Sequence, residues 1–430
     1  MRCDWRQSNG FFLYGSPPLN DAARYKRNAK LYLVYTGAGS ALLWLPVFFL
    51  FFRSHLPLVK VLQLEALYYL SVVLLEFPSG YFSDRVGRKV TLIISSSCWL
   101  LANAAFFLGA SFEAFAIGQV LLAGGMAFRS GTDASFHLES LQAFGHEGEY
   151  ANREARAARI RFLASAAGAV AGGAVALIAL RWAYAASALT AAVALGTALL
   201  FVEPPASEQR AFGVLRQLVA CLHLLKKPAL AWLFAFAVIR LVLDHIPYEF
   251  YQPYIKELGL SFGMGSDATP LVTGLHMAGT TFIAAWIAGR SIQIRDRIGL
   301  GPTLLLSPAI QTLLLAGMAF TLHPVIVGLL LFRSSSSALV SAPLNAAVNP
   351  EVPQHLRASY LSLISFVGRL GFSLTLFAFS QLAAWDGAQG WQQTTRILSA
   401  AVVLGAVGFV GLALSSRRAQ LSHKGPAKLR

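Results

Sequence analysis

Long apolar runs alternate with short charged breaks along the whole chain. Twelve runs of about 20 residues can be marked, the length an α-helix needs to cross a hydrocarbon core. They fall at residues 31–52, 59–80, 90–109, 112–136, 157–180, 183–202, 229–251, 268–289, 300–322, 325–346, 357–382 and 394–415. None shows the two-residue alternation of a membrane barrel strand. The pattern predicts an all-α polytopic membrane protein with twelve transmembrane helices. One break in the middle is longer than the rest. It opens with Glu203-Pro204-Pro205 and closes with Lys226-Lys227-Pro228. It divides the chain into a polar leader (1–30), six helices (31–202), a linker (203–227), six more helices (228–415) and a basic tail (416–430).

Composition agrees. Of the 430 residues, 56% are hydrophobic and 13% are charged, against about 25% charged in soluble domains. The net charge of +15 would by itself suit nucleic acid, but its distribution points elsewhere. Of the 35 Lys and Arg, 27 lie in or beside alternate breaks on one side. The other side holds Arg53, Lys60, Arg181, Lys256 and Arg396. Arg240, Arg333 and Arg369 lie inside runs. Such asymmetry puts both termini in the cytoplasm and leaves no nucleic-acid role. Three cysteines are too few for a disulfide framework or a metal cluster. The histidines lack metal-ligand spacing, and no Gly-Lys-Ser/Thr phosphate loop is present. No cofactor or metal is expected, and no enzyme activity.

The shortest and most charged break is Gly80-Tyr81-Phe82-Ser83-Asp84-Arg85-Val86-Gly87-Arg88-Lys89. Its two glycines are expected to let the chain reverse tightly. Residues Arg295-Asp296-Arg297-Ile298-Gly299 echo it in degraded form about half a chain later, as duplicated transporter halves do. The pattern Gly-x-x-x-Asp-Arg-x-Gly-Arg-Lys after a second span resembles the signature loop of the major facilitator superfamily, in its prokaryotic twelve-helix form. The resemblance implies two pseudo-symmetric six-helix bundles. It also implies gating roles for Gly80, Asp84, Arg85, Gly87, Arg88 and Lys89, which would latch the halves when the carrier faces outward. Arg129 and Asp133, four residues apart, would join Asp84 in that gate. Helices 1, 4, 7 and 10 would line a central cavity.

Charges at membrane depth are costly and need a partner or a task. Arg240 and Asp244 stand one turn apart in the seventh run, and Tyr248 and Tyr251 continue roughly that face. They form the expected charge centre, with Asp244 as the proton site. His245, Glu249, Glu65 and Arg333 are further cavity candidates. Glu76 is expected to be a structural cap near the cytoplasm, and Arg369 a packing residue. Gly168, Gly172 and Gly173 present a small-residue face for close helix packing. They resemble the Gly-Pro-x-x-Gly-Gly run of proton-driven drug exporters, with Ala169 in place of the proline. The resemblance implies a secondary transporter, with proton-coupled export of an amphipathic or drug-like solute favoured. Uptake of a metabolite, or a non-transporting receptor or assembly protein of the same fold, are the alternatives. The expected partners are a small solute, protons and membrane lipids. The expected form is a monomer in a bacterial inner membrane.

Overall fold

The structure is a computed structural model that describes residues 19–205, 214–263, 267–353, 356–385 and 390–416. Most of the expected leader (1–18), residues 206–213 of the expected linker, and the tail from 417 lie outside the described residues. The chain opens with α1 (Leu19–Ala38), α2 (Phe48–His55), α3 (Leu58–Val86) and α4 (Arg88–Leu108). Next come α5 (Phe112–Arg129), α6 (Thr132–Gln142), α7 (Tyr150–Val175) and α8 (Leu180–Leu199). A connecting helix, α9 (Val214–Leu224), precedes α10 (Pro228–Ser261), α11 (Thr269–Ala288), α12 (Ser291–Ile298) and α13 (Leu300–Phe320). The last are α14 (Pro324–Leu330), α15 (Ser335–Glu351), α16 (Arg357–Ala384) and α17 (Trp391–Ser416).

Among the described residues, nine helices or helix pairs are long and apolar enough to cross a membrane. The other three expected crossings fall on α1 with α2, on α5 and on α7. Two of these depart visibly from a plain apolar helix. The first is interrupted, and α7 opens with Arg153, Glu154, Arg156, Arg159 and Arg161.

Three expected helices are broken. The first crossing is expected as one helix over 31–52. It instead starts at Leu19 and loses helical form between Ala38 and Phe48. Pro46 has no amide to donate and disfavours helical backbone at Leu45, so the helix resumes only beyond it. The fourth crossing breaks at Gly131, whose φ of 76° a side chain would resist. The tenth breaks between Leu330 and Ser335. Conversely, the second crossing runs on through Gly80 to Val86. Gly80 therefore does not turn the chain, and Gly87 alone does, with φ 117°.

The end bearing residues 83–89, 137–161 and 290–299 is called the loop end, and the opposite one the far end. The helices before residue 203 and those after 227 meet along two seams, α3 against α16 and α7 against α11. Glycines shape the second seam and the first break. Gly168 packs against the backbone of Ala41, and Gly172 against that of Leu43, so α7 fits into the gap of the first crossing. Gly173 faces Pro270 of α11. The far end is packed with rings. Phe51, Phe52, Phe106, Phe115 and Tyr184 form one cluster with centroids 4.6 to 6.4 Å apart. Lipid is as apolar as these rings, so they stabilise by packing rather than by escape from water.

Candidate functional site

A cavity of about 610 Å³ lies between the two groups of helices. Its walls differ in chemistry. The first group contributes mainly rings, including Trp44, Phe48, Trp99, Phe106 and Tyr184, with Glu65 and Gln119 as polar exceptions. The second group contributes Arg240, Asp244, His245, Arg333, Ser334 and Ser337.

Helical spacing puts Arg240 and Asp244 together, and the Arg240 Nη1 donates to Asp244 Oδ2 over 2.6 Å. The fold adds the rest. Gln311 Nε2 from α13 and the Ser336 hydroxyl from α15 both donate to Asp244 Oδ1. Arg240 also donates to Ser337. Every partner of this carboxylate among the described residues is a donor. Arg333 lies within the break of the tenth crossing. Its Nη1 donates to Thr280 Oγ1 at 2.6 Å and to His276 Nδ1 at 2.9 Å. His276 Nε2 in turn donates to the Val327 carbonyl. The Arg333 guanidinium lies 4.1 Å over the ring of Tyr251. Tyr251 is thus a floor for Arg333, while Tyr248 lines the cavity.

The remaining candidates are less satisfied. Glu65 accepts one hydrogen bond, from Gln119 Nε2 at 2.9 Å. Glu249 is fully buried. Its Oε1 accepts a long bond from the Tyr69 hydroxyl, and its Oε2 has no partner. Tyr69 stands one turn from Glu65, so the two acids approach from opposite groups of helices. His245 Nδ1 donates to its own helix, at the Leu241 carbonyl.

Contacts between the groups seal the far end. The Phe48 and Tyr248 rings stack at 5.7 Å. Gln252 reaches from α10 into the break of the first crossing. Its Oε1 accepts from the Phe49 and Leu50 amides, and its Nε2 donates to the Leu45 carbonyl. The amides at a helix start lack partners within the helix, so Gln252 caps α2 across the interface. Gln252→Leu keeps the bulk and removes all three bonds, each worth roughly 1 kcal/mol. It is expected to open the far end. A cysteine at Tyr248, in a background without native cysteines, should then label faster with impermeant maleimide from that side. An unchanged rate would remove Gln252 from the seal.

Two more contacts cross the α3–α16 seam. Ser373 donates to the Ala66 carbonyl, and Arg369 Nη1 pairs with Glu76 Oε2 at 2.9 Å. Glu76 is therefore not an isolated cap, nor Arg369 a mere packing residue; each is the other's counter-charge across the interface. The helix axis lets these residues meet because α3 and α16 lie side by side over most of their length.

At the loop end the signature residues form a network of their own. Arg88 is its hub. It clasps Glu139 of α6 through Nε and Nη2 at 3.0 to 3.2 Å, and reaches Asp84 at 2.6 Å and Ser83 at 2.9 Å. Arg85 lies over the Tyr81 ring. Glu203 accepts from the amides of Arg88 and Lys89 and so caps α4. Its carboxylate sits where a Gly87 side chain would start. Burial holds the Glu203 pKa above the ordinary carboxylate range, against the pull of the two amides. Arg129 and Asp133 pair at 3.1 Å, but with the Gly39 carbonyl as their third member rather than Asp84. The expected gate of Asp84, Arg129 and Asp133 is thus two separate clusters. No hydrogen bond or ion pair among the described residues joins 80–89 to the second group of helices.

The family model of the Major Facilitator Superfamily matches residues 33–376. The chain belongs to this superfamily. It is a membrane transporter by family, not an enzyme. Solved structures agree on the fold. The nucleoside transporter NupG superposes with a TM-score of 0.75 at 12% identity, over 91% of this chain and 99% of that one. A bacterial homologue of the human lysosomal transporter Spinster, in an inward-facing and unoccupied conformation, gives 0.67 at 15%, over 94% and 98%. The D-xylose-proton symporter gives 0.63 at 16%, over 90% and 95%. Among curated proteins, no match is found.

Sequence reasoning on this superfamily member missed Gln252 as a seal, Gln311, His276, Glu139 and Glu203. Gln311 and His276 are uncharged residues in apolar runs, and Gln252 stands one residue beyond the seventh. A reading that weighs only charges at membrane depth overlooks them, although an amide or imidazole there also needs partners.

Proposed function

We propose that the protein exports a small amphipathic solute against an inward flow of protons by alternating access, with its loop end in the cytoplasm. The observation that carries this reading is the cavity of mixed chemistry between two groups of helices. It is sealed at the far end by Gln252 and the Phe48–Tyr248 stack, while among the described residues the signature loop bonds only within its own group. That is the arrangement of a carrier open toward its loop end. The Lys and Arg distribution supports a cytoplasmic loop end.

Asp244 holds Arg240, Gln311 and Ser336 in place, so taking up a proton there would break a satisfied centre. Glu249 is the better proton carrier. It is buried, lacks a partner on one oxygen, and takes the Tyr69 hydroxyl on the other, one turn from Glu65. Glu249→Gln keeps the shape and removes the titrating group. In proteoliposomes this variant should still exchange solute down its gradient. It should lose accumulation driven by a pH difference. Asp244→Asn should lose both activities, because Arg240 is left without a counter-charge. Full pH-driven accumulation by a well-folded Glu249→Gln variant would refute the proton assignment. The sign of accumulation under an imposed gradient decides export against uptake. The absence of any exchange in folded protein would favour a non-transporting role.

A further inference from the structure

The polar wall of the cavity holds two guanidinium groups and one carboxylate. Asp244 neutralises Arg240. Arg333 is 3% exposed, and no Asp or Glu among the described residues pairs with it. A buried cation without a counter-charge costs several kcal/mol. Tyr251, Thr280 and neutral His276 offset only part of that, because none carries a negative charge.

The pattern of unused donors is more telling than the charge. All the hydrogen bonds of both arginines leave from Nη1. The Nε atoms of Arg240 and Arg333 are buried and unpartnered, and neither Nη2 makes a hydrogen bond among the described residues. The free edge of each is therefore the Nε–Nη2 fork, whose two parallel N–H groups match the two oxygens of a carboxylate. Both residues line the cavity, and Ser334 and Ser337 line the same wall. Across the cavity stand the rings of Trp44, Trp99 and Phe106. The volume suits one drug-sized molecule.

We infer that the transported solute is an organic anion, a carboxylate on an aromatic body, with its charge on the Arg333 and Arg240 forks and its ring against the opposite wall. This rests on the transport reading above and specifies its substrate. Glu65 lies on the ring-bearing wall and is engaged by Gln119, so it does not occupy the forks. An acyl-chain carboxylate drawn from lipid shares the head-group chemistry. The wall of rings favours the flat body over the chain.

The test uses the full chain in nanodiscs, with quenching of tryptophan fluorescence as the signal. The probes are 4-phenylbutyrate, its neutral amide, the matching 4-phenylbutylamine, and dodecanoate. The carboxylate should bind at least about tenfold more tightly than the amide. In Arg333→Gln that ratio should fall close to one while the amide's own affinity holds. Because the readout is a ratio within one protein sample, loss of folded material does not imitate it. Arg333→Lys keeps the charge without the fork and should give an intermediate ratio. Equal binding of amide and carboxylate, tighter binding of the amine, or an unchanged ratio in Arg333→Gln would overturn the proposal. Tighter binding of dodecanoate than of phenylbutyrate would overturn the aromatic body. Counterflow of the labelled probes in proteoliposomes separates the two levels. Exchange of the amide or amine in preference to the carboxylate removes the anion and leaves transport standing. Binding of the carboxylate that depends on Arg333, without exchange of any probe, keeps the site and removes transport.

Discussion

Gly172→Ala and Gly173→Ala, one residue apart on α7, are expected to fail in different ways. A Cβ at Gly172 would overlap the Leu43 carbonyl oxygen. That atom is backbone, held in the break of the first crossing, and has nowhere to go. Overpacking of this kind costs roughly 3 kcal/mol or more, within the same group of helices. The expected result is a sharp fall in monodisperse protein after extraction. A Cβ at Gly173 would lie 2.5 Å from the Pro270 carbonyl of α11, which belongs to the other group. That clash can be relieved by parting the seam, at the cost of the far-end closure. Gly173→Ala should therefore extract well and expose Tyr248→Cys to label from the far end. Gly196→Ala is the control, because nothing lies within 4 Å of its added carbon. Equal yields for Gly172→Ala and Gly196→Ala would contradict the packing. A labelling rate in Gly173→Ala equal to that of the parent would contradict its place in the closure.

Arg369→Gln is expected to shift the balance between open and closed forms rather than the yield. The Arg369–Glu76 pair bridges the α3–α16 seam, with about a fifth to a quarter of each side chain exposed (21% and 24%). Its loss should cost roughly 2 kcal/mol, between the values for surface and buried pairs. If the pair opens when the seam moves, that shifts the conformational equilibrium about 30-fold. Cavity labelling from the loop end should fall and labelling from the far end should rise. Exchanging the two, Glu76→Arg with Arg369→Glu, should restore the original balance, since the geometry permits either order of charge. The double neutral change, Glu76→Gln with Arg369→Gln, should lie between, because it leaves no orphaned charge. Unaltered labelling from both ends in folded Arg369→Gln would show that the pair is kept in both states. It would then hold the seam without selecting a state.

The sequence alone determined the class of this protein and the local part of its site. Apolar transfer and helical rise are properties of a single segment, so the runs and their breaks could be read directly. Arg240 and Asp244 are likewise a local pair, because four residues on a helix is one turn whatever the rest of the chain does. The closeness of α7 to a neighbour was legible at Gly168, Gly172 and Gly173, since only small residues allow it. What the neighbour would be was not. The break in the first crossing that receives Gly172 depends on Pro46 together with a Gln252 some two hundred residues away. The Glu76 and Arg369 pair, the Glu139 and Glu203 partners of the signature loop, and the choice of Nη1 over Nε at both cavity arginines are of the same kind. Each depends on how helices are rotated and slid against one another. That register is set by many small packing contacts summed across the bundle, so no one stretch of sequence carries it, and only the tertiary structure could decide which polar groups were satisfied and which were left without a partner.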